Sequence, residues 1–178
     1  MLTIGTLIQN IAKGQSGIPT RMIFAQLDQV YLKLKPGIKI LKVESAPGGT
    51  FVYMIVPSQS DMSKHYDIVF YFVSETTLNN NTKFRVYSNS PNFGFSYAYL
   101  FHKEGSLLFP EKYPRIMITQ PPKVRNPFQV TGFDKHVYAG MHFVHKQNLK
   151  ALATMSKSTS AVDVTRFEDK MKEMRIKK

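Results

Sequence analysis

An α+β fold, with an antiparallel, aromatic-rich sheet of about five to seven strands and a helix packed on it, is what three features of this sequence predict. The run Tyr87 to Phe101 places six aromatic residues around a break of Ser, Asn, Pro and Gly. Residues 38–57 read as a hairpin, two β-rich runs joined by Ala46-Pro-Gly-Gly49. After Gly132 the apolar residues switch to helical spacing, the mark of an element laid on a sheet rather than inserted in it.

Taken in order, Ile4, Leu7, Ile8 and Ile11 stand at i, i+3, i+4, i+7, a one-faced helix that Gly14, Gly17 and Pro19 end. Within residues 1–20 this helix either folds back on the core or docks on a partner; folding back is the reading preferred. Residues 21–35 fit a helix (Ile23, Leu27, Val30, Leu34) or, from Val30 onward, an alternating strand (Val30, Leu32, Leu34). Pro36-Gly37 is a turn. Ile38 to Val43 alternates apolar residues with Lys39 and Lys42 as a half-exposed strand, and Thr50 to Val56 is a β-branched and aromatic run closed by Pro57. Asp67 to Ser74 is apolar on both faces and reads as a central strand. Residues 78–82 are a turn with no room for packing, and 83–87 a strand with Phe84 and Val86 inward.

In the second half, the turn letters around Pro91 stop one strand, and Phe95, Tyr97 and Tyr99 alternate with small residues as in another. Residues 110–127 hold five of the ten prolines and are expected to run extended across a surface. From Gly132 a helix follows, capped by Thr131 or Asp134, with Val137, Met141, Val144, Leu149 and Leu152 as its stripe. Residues 1–152 are thus expected to form one domain. Residues 153–178 are expected to be a Ser/Thr joint and a basic amphipathic helix, with Val164, Phe167, Met171 and Met174 as its partner-docking face.

Composition narrows the function. At 178 residues, 43% hydrophobic and 12% aromatic, the chain can bury a core and does not read as disordered. There is no cysteine, which removes disulfides, thiolate nucleophiles and Cys-based zinc sites and suits a reducing compartment. No apolar run reaches the length of a membrane span, and the N-terminus lacks the features of a signal peptide. Twenty-four Lys and Arg against twelve Asp and Glu give a net charge of +12, a balance that attracts polyanions or serves solubility alone. The candidate contacts with nucleic acid or another polyanion are Lys123 and Arg125 on the proline segment and Lys146 and Lys150, four apart on a helix. In the tail they are Lys170, Arg175, Lys177 and Lys178. Such cations meet phosphates without reading sequence; Phe93 to Tyr99 offers rings on which single strands could stack, although core packing is the reading preferred for most of them.

No catalytic signature stands out. His136, His142 and His145 fall on one helix, but no carboxylate stands at metal-ligand spacing and His-Glu-x-x-His is absent. The carboxylates are scattered, against the convergent pair a metal-dependent nuclease needs. A metal-free ribonuclease using His65 or His142 with Lys or Arg stays open. No phosphate-binding glycine loop or nucleophile elbow occurs, and no cofactor is expected.

At Tyr87 to Phe101, and again at Pro121 to Tyr138, the chain resembles small proteins encoded by tailed bacteriophages of Gram-positive hosts, either structural or unassigned. The resemblance implies a virion context: a minor capsid, connector or tail component, or a protein packaged with DNA, assembled in the host cytoplasm. It carries over no site residues. The expected function is therefore a non-enzymatic structural or assembly protein gripping neighbouring subunits, its own copies or other virion proteins, with DNA as a further contact. A basic nucleic-acid-binding regulator and the histidine ribonuclease are the alternatives.

Overall fold

A computed structural model describes residues 1–13, 19–73, 77–124, 126, 132, 134–147 and 149–156. The fold is α+β, built on one antiparallel sheet with strands in the order β1 (Lys39–Ala46), β2 (Gly49–Pro57), β3 (His65–Phe72) and β4 (Phe84–Ser88). The sheet has four strands among the described residues, fewer than the five to seven expected. The hairpin is where the sequence places it, with Ala46 opposite Gly49. Pro47 holds φ negative and Gly48 takes φ +81°, the pairing a type II turn asks for. β1 carries a bulge between Ile40 and Lys42. β3, apolar on both faces, lies inside the sheet between β2 and β4.

Each face of the sheet has its own core. Ile40, Val52, Met54, Val56, Ile68, Phe70, Phe72, Phe84 and Val86 belong to the larger one, with side chains of α1 (Ile4–Lys13), α2 (Thr20–Leu34), α6 (Lys135–His145) and α7 (Leu149–Ser156). On the other face Leu41, Tyr53 and Val69 are buried with Leu108, while Phe51, Tyr71, Tyr87 and Phe109 pack round them half-buried. Each fully buried large apolar side chain contributes about 1.5–3 kcal/mol.

The main correction falls on Tyr87 to Phe101. The strand expected over Phe95, Tyr97 and Tyr99 is instead two short helices, α3 (Pro91–Ser96) and α4 (Ala98–Lys103). Ser90 enters in extended geometry and Pro91 occupies the first turn, where its missing N–H costs nothing. Phe93, Tyr97, Leu100 and Phe101 then fall at i, i+4, i+7, i+8, a helical stripe laid over the alternating one. Phe93 and Phe101 are fully buried, whereas Phe95 is 53% exposed. The aromatic anchor itself is real. Ring contacts of 5.4–6.5 Å lead from Phe70 through Phe72, Phe84, Phe101 and Phe93 to Tyr113, each such pair adding about 0.5–1.5 kcal/mol.

Other corrections follow the same logic of tertiary context over local pattern. Residues 21–35 are helical, so Leu32 is 65% exposed beside buried Tyr31 and Leu34. The 78–82 turn does pack: Thr82 is buried, and the carbonyls of Asn80 and Thr82 accept from Gly5 N (2.7 Å) and Ile4 N (3.1 Å), seating α1 on the body. Thr3 caps α1 by accepting from Thr6 N. The proline passage is not extended throughout, since it forms a 3-10 turn (Pro110–Lys112) and α5 (Arg115–Thr119). The long helix after Gly132 is broken into α6 and α7, so Lys146, the C-cap of α6, and Lys150, on α7, do not share one helix. Asp134 is the cap of α6, accepting from His136 N. Residues 153–156, expected to open the joint, instead continue α7 to Ser156, and the rest of the Ser/Thr joint and the amphipathic tail lie outside the described residues.

Along its outer side β4 is bonded rung by rung. Phe84 N donates to Leu2 O (3.1 Å). Val86 N donates to Ser106 O and Val86 O accepts from Leu108 N, both at 2.9 Å. Ser88 N donates to the Tyr113 hydroxyl (3.0 Å), which in turn donates to Ser88 O (2.8 Å).

Candidate binding groove

The feature most unlike a packed monomer lies where α3 meets α5. Gly94 permits that approach: a Cβ there would stand 3.1 Å from Met117 Sδ and 3.9 Å from Tyr113 Cδ1. With Met117 drawn in, its neighbour Ile116 turns outward and is 60% exposed. Beyond α5 the chain leaves in extended geometry through Gln120, half-buries Pro121 and Pro122, and leaves Val124 88% exposed. Asn126 then donates from Nδ2 to Ser96 O at 3.1 Å, tying the end of this segment back to α3. His102 Nδ1 meets Ile118 O at 3.2 Å and ties α4 to α5.

The result is a groove of about 350 Å³ between Phe95 and Tyr99 on one side and Ile116, the prolines and Val124 on the other. A second hollow of about 280 Å³ lies beside it, walled by Tyr87, Pro91, Tyr113 and Pro114, and Phe95 and Met117 line both. Lys123 lines the first and Lys112 the second, and no carboxylate is among the described lining residues. Burial pushes the hydroxyls of Tyr87 and Tyr113 above their ordinary value.

Of the cations singled out from sequence, Lys123 lies on this groove and Lys150 is exposed on α7. Lys146 sits with its Nζ 5.7 Å from the centre of the Tyr31 ring. Arg125, Lys170, Arg175, Lys177 and Lys178 lie outside the described residues, as do Val164, Phe167, Met171 and Met174. Sequence reasoning missed Ile116 and Val124, and counted Phe95 among possible stacking rings while placing it on a strand. The Ser90-Pro91 pair, a cap followed by a first-turn proline, was the available signal that Phe95 turns away from Phe93.

Two of the histidines, His142 and His136, are packed against aromatic rings and carboxylates. His142 stacks on Tyr31 (ring centres 4.2 Å apart), with Nδ1 3.3 Å from the Tyr138 hydroxyl and 3.4 Å from Asp28 Oδ1. Tyr138 donates to the same carboxylate at 2.7 Å. Burial, then Lys146, holds the His142 pKa below its ordinary value, with Asp28 opposing. Its Nε2 is buried without a hydrogen-bond partner among the described residues. His136 is likewise buried, its Nδ1 3.0 Å from Asp134 and its ring 4.5 Å from that of Tyr66. His65 is exposed at the start of β3. Among the described residues no three His, Asp or Glu side chains gather to hold a metal, and no helix is long and apolar enough to cross a membrane.

Comparison with protein-family models, with curated proteins and with solved structures gives no match.

Proposed function

We propose that the protein is a non-enzymatic structural or assembly component of a tailed-bacteriophage virion, put together in the host cytoplasm. In this reading it is held among neighbouring subunits by the groove between α3 and α5. One observation carries it: Phe95, Ile116 and Val124, three large apolar side chains at 53, 60 and 88% exposure, line one groove. Contiguous exposed apolar surface on a folded protein marks a place where something else binds. The net charge of +12 supports contact with DNA or an acidic partner beside that groove. Mass spectrometry of purified particles, with copy number, tests the role; the protein should be present at a fixed stoichiometry, and its absence removes the reading.

The alternative of a nucleic-acid-binding regulator draws on Phe95 and Tyr99 standing beside Lys123. Stoichiometric, steeply salt-dependent binding to DNA by a monomer, with no protein in the particle, would favour it.

A further inference from the structure

We infer that the two hollows flanking Phe95 and Met117 together form a receptor for a linear, acidic peptide segment with aliphatic anchor residues, carried by a neighbouring protein. This rests on the assembly role proposed above and names the chemistry of the partner at that site. The volumes, about 350 and 280 Å³, admit a few side chains each. Phe95 and Met117 line both hollows, so a chain passing over them can place one anchor in each.

The lining chooses the occupant. Ile116, Met117, Val124 and the prolines present aliphatic surface, which suits Leu, Ile or Met better than a nucleobase, since base-stacking grooves offer successive aromatic faces. Pro91, Pro114, Pro121 and Pro122 have no N–H, so their stretches of the wall cannot donate to a peptide backbone and recognition falls to side chains. The charged lining residues are Lys112 in one hollow and Lys123 in the other, unopposed by any carboxylate among the described lining residues. Arg115, exposed at the start of α5 between them in sequence, is a third cation outside the two linings. A segment with acidic residues outside its two anchors complements both hollows at once.

The test is fluorescence anisotropy on the full chain with labelled 14-residue probes. One has two leucines flanked by glutamates, one has lysines in place of the glutamates, one has serines in place of the leucines, and a 14-nucleotide oligo-dT is the fourth. The glutamate–leucine peptide should bind, with the lysine and serine versions each at least about tenfold weaker. Val124→Asp, at a side chain too exposed to support the fold, should weaken it by a similar factor. The pair Lys112→Glu and Lys123→Glu turns two ion pairs repulsive and should cost about tenfold, shifting preference to the lysine peptide. Circular dichroism checks that each variant is folded. Binding indifferent to charge sign or to both variants, or no peptide binding at millimolar concentration, overturns the proposal. Oligo-dT binding lost in Val124→Asp while peptides stay unbound does so in favour of nucleic acid. If the protein is nevertheless found in particles at fixed copy number, the assembly role stands and only the acidic-peptide receptor falls.

Discussion

Removing the Asp134 side chain should cost more stability than any other single polar deletion on the α6 side of the molecule. Asp134 is 1% exposed. Its carboxylate accepts from His136 N (2.9 Å), His136 Nδ1 (3.0 Å), Asn92 Nδ2 (2.8 Å) and, at the limit, Ser90 Oγ (3.4 Å). It therefore caps α6 and joins that helix to the start of α3. Asp134→Ala gives up a cap worth about 1 kcal/mol, removes the Nδ1 partner of buried His136 at roughly 1–3 kcal/mol, and takes one bond from half-buried Asn92 at about 1 kcal/mol. Recovered desolvation of the carboxylate offsets part of this, leaving a net loss of about 3 kcal/mol. With a urea m-value of about 2 kcal/mol/M, the midpoint should fall by roughly 1.5 M. Asp134→Asn keeps an acceptor for His136 N but points an amide donor at Asn92, so it should fall between wild type and Asp134→Ala. Burial by itself would raise the Asp134 pKa, but the bonds from His136 and Asn92 outweigh it and the pKa is lowered. A carboxyl lowered on folding stabilises fully above its unfolded value of 3.8 and loses that contribution as pH falls through the folded one. Wild type should thus lose stability below about pH 4 more steeply than Asp134→Ala, which keeps other lowered carboxyls such as Asp61. A loss under 1 kcal/mol for Asp134→Ala, or an equally steep decline in acid, would refute this account of the joint.

Tyr113→Phe should lower stability by about 2–3 kcal/mol in the same urea assay, because it strips both hydrogen bonds from buried Ser88. His142 has a folded pKa below its unfolded one, so the unfolded chain binds its proton first. Stability should decline as pH falls through about 6.5, and His142→Phe, which keeps the stack on Tyr31, should flatten that slope in thermal melts. Phe109 is the one non-glycine residue at positive φ (50°) among those described, and its ring meets Tyr87 at 5.8 Å. Phe109→Ala should be less stable than Phe109→Gly by about 1 kcal/mol, since both lose the ring but only Ala keeps the left-handed strain; equal melting temperatures would contradict this.

The sheet was legible because its signals were redundant. Pro47-Gly48 fixed the turn, Thr50 to Val56 had no helical alternative, and Phe84 and Val86 alternate cleanly with charged neighbours. The stretch 93–101 carries two periods at once, and only Pro91 and the packing against Tyr113 decide between them. That choice decides the groove too. A strand puts Phe93 and Phe95 on one face, whereas a helix turns them about 200° apart and leaves Phe95 outside. Ile116 and Val124 were hidden for a related reason: five prolines suggested continuous extension, while the breaks after Pro110 and Pro114 make room for a helical turn each. Lys123 was visible as a cation but not as part of an apolar wall.

The outer margin of β4 is filled by three distant parts of the chain: the N-terminus, the segment after α4, and one tyrosine hydroxyl. An incoming strand finds no ladder to join there, so copies of this protein cannot zip together along that side into fibres or extended sheets. Any contact made along that margin must therefore be built from side chains rather than from a shared ladder of backbone bonds.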